Sequence, residues 1–118
     1  MSQNQDNFKR GTAELLVLYL LQDGDLYGYE ITKAFQEKSG GNYTMAEAAL
    51  YLVLYRLVNA GYISDYEELV GQRRRRRYYH LEESGRAYYK ELLQEYVTVT
   101  KSVFNILDME CEINGNAE

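Results

Sequence analysis

A mainly α-helical fold with one small β-hairpin is what this sequence predicts, and three observations carry it. Four stretches repeat apolar residues at helical spacing, beginning near Thr12, Leu26, Thr44 and Glu82. Between the third and the fourth lie two β-prone segments, Tyr62-Ile63-Ser64-Asp65-Tyr66 and Tyr78-Tyr79-His80-Leu81, joined by a basic stretch that contains Gly71. The last helical pattern runs from Glu83 to Asp108, long for a chain of 118 residues.

Residues 1–7 are polar and are expected to form a flexible tail. In the first core helix Ala13, Leu16, Val17, Leu20 and Leu21 recur at helical spacing until Gln22-Asp23-Gly24-Asp25 breaks the pattern. Asp25 is placed to cap a second helix from Leu26, which carries Ile31, Ala34 and Phe35 inward and ends at Ser39-Gly40-Gly41. Thr44-Met45-Ala46-Glu47 fits a capping box for a third helix. That helix commits Ala46, Leu50, Val53, Leu54, Leu57 and Val58 to the core, and Ala60-Gly61 closes it. Its outward face is Glu47, Ala48, Tyr51, Leu52, Tyr55 and Arg56. Along the last helix Tyr89, Leu92, Leu93, Tyr96, Val99, Val103, Ile106 and Leu107 form a stripe in steps of three and four. The preceding helices have too little surface to cover a stripe that long, so a second copy is its expected cover and a homodimer its expected state. The order helix, helix, helix, strand, basic turn, strand, long helix is that of a winged helix-turn-helix plus a long C-terminal dimerisation helix. The expected division is a DNA-binding winged domain over 8–82, a dimerisation helix over 83–108, and a second flexible tail over 109–118.

Charge points to the partner. The chain carries a net charge of -5, yet Arg73 to Arg77 are consecutive. Positive charge this concentrated on a hairpin suits a polyanion, and on a wing that polyanion is double-stranded DNA. Other classes lack support. A single Cys111 and a single His80 give no disulfide and no Cys/His metal pattern. No phosphate-cradling glycine motif, nucleophile elbow or nucleophile with a plausible base is present, so neither enzyme activity nor a cofactor is expected. The apolar run Leu15 to Leu21 is far short of the roughly 20 residues that cross a bilayer, and the polar start lacks a secretory signal pattern. A cytoplasmic protein without membrane contact is the expectation.

The candidate DNA contacts follow from these placements. Arg73, Arg74, Arg75, Arg76 and Arg77 supply phosphate or minor-groove cations, and strand alternation leaves only two or three per wing able to touch DNA. Thr44, Ala48 and Ala49 stand at the start of the third helix, which would enter the major groove. Alanine methyls can meet thymine, but that turn holds no bidentate reader of guanine or adenine. Tyr51, Tyr55 and Arg56 can reach the sugar-phosphate backbone, and Tyr27 with Gly28 opens the second helix toward another phosphate. Core packing is an equal alternative for Tyr27. A different class of function stays open: a winged-helix protein-interaction module, with helix 3 and the tyrosines docking a partner whose acidic surface the arginines grip.

The chain also resembles the PadR family of bacterial transcriptional regulators, in particular its small members with a single C-terminal helix. The matching stretches are Arg10-Gly11-Thr12-Ala13-Glu14-Leu15-Leu16-Val17-Leu18, Leu26-Tyr27-Gly28-Tyr29-Glu30-Ile31, and Leu50-Tyr51 through Tyr55-Arg56-Leu57 with Ala60-Gly61-Tyr62-Ile63. Arg75-Arg76-Arg77-Tyr78-Tyr79-His80-Leu81 with Gly85-Arg86 completes the set. Three departures stand out: Ala48-Ala49 replaces the family's usual Gly-Thr, Leu52 its proline, and Glu82 the threonine after the last strand. The operator sequence of relatives therefore does not carry over. The resemblance implies a transcriptional repressor on a pseudo-palindromic operator, released by a planar aromatic effector between the C-terminal helices. Carried onto this chain, that site would be Tyr88, Tyr89, Tyr96, Val99 and Val103, with a plain dimer seam as the alternative for Tyr96.

Overall fold

The apolar spacing that predicts the helices also decides what they bury. The computed structural model describes residues 3–112. Its elements are α1 (Gln3–Lys9), α2 (Ala13–Leu20) with a 3-10 turn at Leu21–Asp23, β1 (Leu26–Tyr27), α3 (Gly28–Lys38), α4 (Glu47–Asn59), β2 (Ile63–Val70), β3 (Arg74–Leu81) and α5 (Glu83–Ile106). One core joins Val17, Leu18 and Leu21 to Ile31 and Phe35 of α3 and to Leu50, Val53, Leu54 and Leu57 of α4. Ile63, Tyr79 and Leu81 close it from the sheet, and Tyr89 closes it from α5.

The sheet has three strands in the order β1-β3-β2, all antiparallel. Its register runs from Ile63 opposite Leu81 to Val70 opposite Arg74, so the base of the hairpin lies on the core and its far half extends past it. Gly71 makes the turn possible with φ of 77°, a left-handed value that other residues adopt at a cost.

Three local expectations are corrected. Part of the tail expected at 1–7 is helical: Gln3 onward lies in α1, whose Lys9 ammonium donates to the Thr44 carbonyl at 3.3 Å and sits over the Tyr43 ring. Second, Leu26 and Tyr27 do not begin a helix. They form a strand opposite Tyr79 and Tyr78, and Asp25 is not the cap, because its two carboxylate oxygens are taken by Tyr66 and His80. Glu30 does the capping, its carboxylate accepting the Tyr27 N–H at 3.1 Å. Third, the box at Thr44 does not form. Helix α4 starts at Glu47 after an extended Ala46 without any side-chain cap, so Thr44 stands too far upstream.

Helix α5 divides in two along its length. Its first turns pack on α2, with Tyr89 6.2 Å from Tyr19 between ring centroids and Tyr88 stacked on Tyr62 at 4.1 Å. Farther on Val99, Val103, Ile106 and Leu107 are exposed, Ile106 at 80%. A helix of 24 residues is about 36 Å long, and it stretches the molecule to 58 × 32 × 21 Å. It ends at Ile106, two residues before the expected Asp108. Residues 109–112 of the expected tail form no helix or strand, and 1, 2 and 113–118 lie outside the described residues.

Candidate nucleic-acid interface

The outward face of α4 keeps its predicted composition. Glu47, Ala48, Ala49, Tyr51, Leu52, Tyr55 and Arg56 are all exposed, with Leu52 at 64% and Tyr55 at 67%. Its leading turn offers methyl groups and one carboxylate, Glu47, which opposes a phosphate at that helix start. Tyr51 is anchored by a close approach. A Cβ on Gly28 would stand 3.1 Å from the Tyr51 hydroxyl oxygen, so glycine lets α3 begin directly beneath that ring. Thr44 is exposed just ahead of α4. Arg56 is engaged within the fold, its Nε donating to Glu14 of α2 at 3.2 Å.

Strand alternation sorts the arginines. Arg75 and Arg77 share the face of Tyr79 and Leu81, opposite Leu69 and Glu67 of β2. There Arg77 bonds Asp65 at 3.0 Å and Glu67 at 3.2 Å, and Arg75 lies 3.9 Å from Glu67. Arg74 and Arg76 share the other face with Tyr78 and His80, and Arg73 sits in the turn. None of Arg73, Arg74 and Arg76 makes an ion pair among the described residues. The run is therefore more strand than tip, and β2 sets three carboxylates, Asp65, Glu67 and Glu68, beside its five positive charges. The wing's field is weaker than the bare sequence suggests.

The same outer face carries a clasp. Asp25 accepts from the Tyr66 hydroxyl at 2.7 Å and bonds His80 Nδ1 at 2.8 Å, tying the segment before β1 to both wing strands. Burial pushes the Asp25 carboxyl up, but the hydrogen bonds from Tyr66 and His80 and the charge of His80 outweigh it and hold the group below the usual carboxylate range. The hydrogen bond to Asp25 pushes the Tyr66 hydroxyl up to about 12 from an ordinary 10.0, since the phenol donates only while protonated. The contribution of Tyr66 is thus complete below pH 10 and is lost as pH rises through 12, whereas that of Asp25 is lost as pH falls through its lowered value. Alkaline titration followed by tyrosine ring-carbon NMR should find Tyr66 ionising late. Asp25→Ala should return it to the ordinary range, and an unchanged late titration in that variant would remove the clasp.

Within one copy, two of the five expected effector residues come together. Tyr89 and Tyr96 line a cavity of 450 Å³ with Thr12, Leu15, Leu16, Tyr19, Tyr43 and Leu93. Val99 and Val103 lie farther along α5, exposed and outside that lining. Tyr88 points elsewhere, its hydroxyl donating to Glu14 at 3.3 Å. Sequence reasoning missed Tyr19, Tyr43, Glu14 and the Asp25 clasp. The pair Thr12 and Tyr43, bonded at 2.7 Å, fixes one wall of the cavity, and burial pushes the Tyr43 hydroxyl up against that opposing hydrogen bond. The one available signal was Glu14, a carboxylate inside an otherwise apolar helix.

Three helices around one core, the third with its outward face free, and a basic hairpin extending past them define a winged helix-turn-helix protein. The chain belongs to the PadR-like family of transcriptional regulators, whose family model matches residues 17–91. It is similar to a solved transcriptional regulator from Clostridium thermocellum, with 37% identity and a TM-score of 0.77 over 84% of this chain and 95% of that one. It is also similar to a PadR family regulator from Clostridium difficile R20291, with 30% identity and a TM-score of 0.71 over 82% and 99%. Among curated proteins it is 31% identical over 70 residues to the negative transcriptional regulator PadR of Bacillus subtilis (strain 168), which is 59% of this chain and 38% of that protein. The resemblance read from the residues and the family found agree. Among the described residues no helix is long and apolar enough to cross a membrane.

Proposed function

We propose that this regulator represses transcription as a homodimer on a pseudo-palindromic operator. The observation that carries the reading is the pairing of α4's free outward face with a wing whose Arg73, Arg74 and Arg76 make no ion pair among the described residues. In this reading the start of α4, with Thr44, Ala48 and Ala49, enters the major groove, and Tyr51 and Tyr55 bond the backbone. Alanine and Leu52 methyls favour thymine, so choice of sequence comes mostly from half-site spacing and DNA shape. Dimerisation is supported by the exposed stripe from Tyr96 to Leu107, which stays uncovered in one copy. Repression is supported by the name of the Bacillus subtilis relative. Release by a planar aromatic compound is supported by the tyrosine-lined cavity, whose walls Tyr19, Tyr43, Tyr89 and Tyr96 would stack on such a ligand in this reading.

One experiment addresses these together: retardation of DNA from the protein's own upstream region across a salt series, with the mass of the complex measured. A dimer using three cations per wing should give a log-log salt slope near about five, at roughly 0.9 per phosphate. A panel of planar aromatic compounds should contain one that releases the DNA. Equal retardation of unrelated DNA at physiological salt would end the claim of sequence selectivity, and no retardation at all would favour a protein-interaction module.

A further inference from the structure

Arg76 differs from the rest of the run. It is the only half-buried arginine among the five, and its guanidinium carbon stands 4.3 Å from the centroid of the Tyr27 ring. Tyr27 is held from several sides. It pairs with Tyr78 across β1 and β3, meets the Tyr78 ring edge-on at 5.5 Å and lies 6.4 Å from the Tyr29 ring. Tyr78 in turn stacks on Tyr66 at 5.7 Å, and Tyr66 is fixed by Asp25. These rings give Arg76 a floor that the neighbouring free arginines lack. Stacking occupies the flat face of a guanidinium and leaves the N–H donors around its edge free for a phosphate or a groove acceptor. An arginine already resting in one position also has less freedom to lose when it binds.

We propose that Tyr27 is a positioning residue for DNA binding: its ring holds the Arg76 guanidinium edge-outward, and Arg76, not Tyr27, makes the contact. The inference rests on the DNA-binding reading above. It alters the role expected of Tyr27, which was a backbone contact of its own or, equally, core packing.

The test uses the full chain and a duplex from its own upstream region, with binding followed by anisotropy at several salt concentrations. Tyr27→Phe keeps the ring and should bind as the parent does. Tyr27→Leu should weaken binding about three- to thirty-fold, the range spanned by such stacked cations, and flatten the salt slope as Arg76→Ala does. The variant carrying both changes should bind no more weakly than Arg76→Ala alone, because the two residues act as one unit. Tyr27→Val, whose side chain suits a strand, replaces Tyr27→Leu if thermal unfolding shows the latter to be damaged. Additive losses in the double variant, or a Tyr27→Phe protein as weak as Tyr27→Leu, would overturn the proposal, the second by making the hydroxyl the contact. A folded Arg76→Ala protein with unchanged affinity and slope would instead count against the wing reading itself, and the proposal would fall with it.

Discussion

Glutamine at both Arg74 and Arg76 is expected to lower affinity for operator DNA on the order of a hundredfold or more at physiological salt, and to flatten the salt dependence. The two residues share one face of β3 and themselves make no ion pair among the described residues, and a dimer would lose four cations at once. The comparison that isolates contact from bulk charge removes the opposite face whole. Asp65→Asn, Glu67→Gln, Arg75→Gln and Arg77→Gln together delete the pairs at 3.0, 3.2 and 3.9 Å while leaving the wing's net charge as it was. Those pairs are exposed and contribute little to stability, so the fourfold variant should fold and bind within about threefold of the parent. If it loses as much affinity as the Arg74 and Arg76 variant, the division of the run by strand face is wrong.

Gly85→Ala should destabilise the fold by about 3 kcal/mol, the upper end of overpacking costs, and lower the melting temperature by roughly 10 °C. Gly85 lies in the first turn of α5 and is buried. A Cβ there would collide with the Tyr62 carbonyl oxygen and stand 2.7 Å from a Leu81 methyl. The carbonyl cannot swing aside freely, because it accepts the Glu82 N–H at 3.0 Å. Relief requires moving the start of α5 away from the base of the wing, and a domain of this size has only about 5–15 kcal/mol to lose. Thermal unfolding by circular dichroism measures it. A melting temperature unchanged in the alanine variant would mean that α5 does not dock this tightly.

What the sequence disclosed depended on the range of the interactions involved. The buried and exposed faces of α4 were readable because helical periodicity is local, and Leu50, Val53, Leu54 and Leu57 lie where spacing puts them, whereas Ala46, expected in the core, is exposed ahead of the helix. The division of the arginines was half readable. Alternation predicts two faces, but which face is paired depends on Asp65 and Glu67 arriving from the other strand. Strand β1 was not readable, since two residues make a strand only when β3, more than fifty positions later, supplies the partner. The same tertiary partner took Asp25 away from the helix it could have capped. Arg56 and Tyr88 looked available because the partner that holds both, Glu14, is remote in sequence and reaches them only across the fold.

The wing has a consequence for approach as well as for grip. Of the chain's 13 basic and 18 acidic residues, five and three lie on β2, its turn and β3 from Asp65 to Arg77, so everything else is acidic by seven charges. The molecule is thus an electric dipole with a small positive pole at one end. A polyanion drifting nearby pulls on that pole and pushes the remainder away, turning the protein before the two surfaces touch. On the DNA-binding reading proposed above, misdirected encounters would meet repulsion and successful ones would begin wing first.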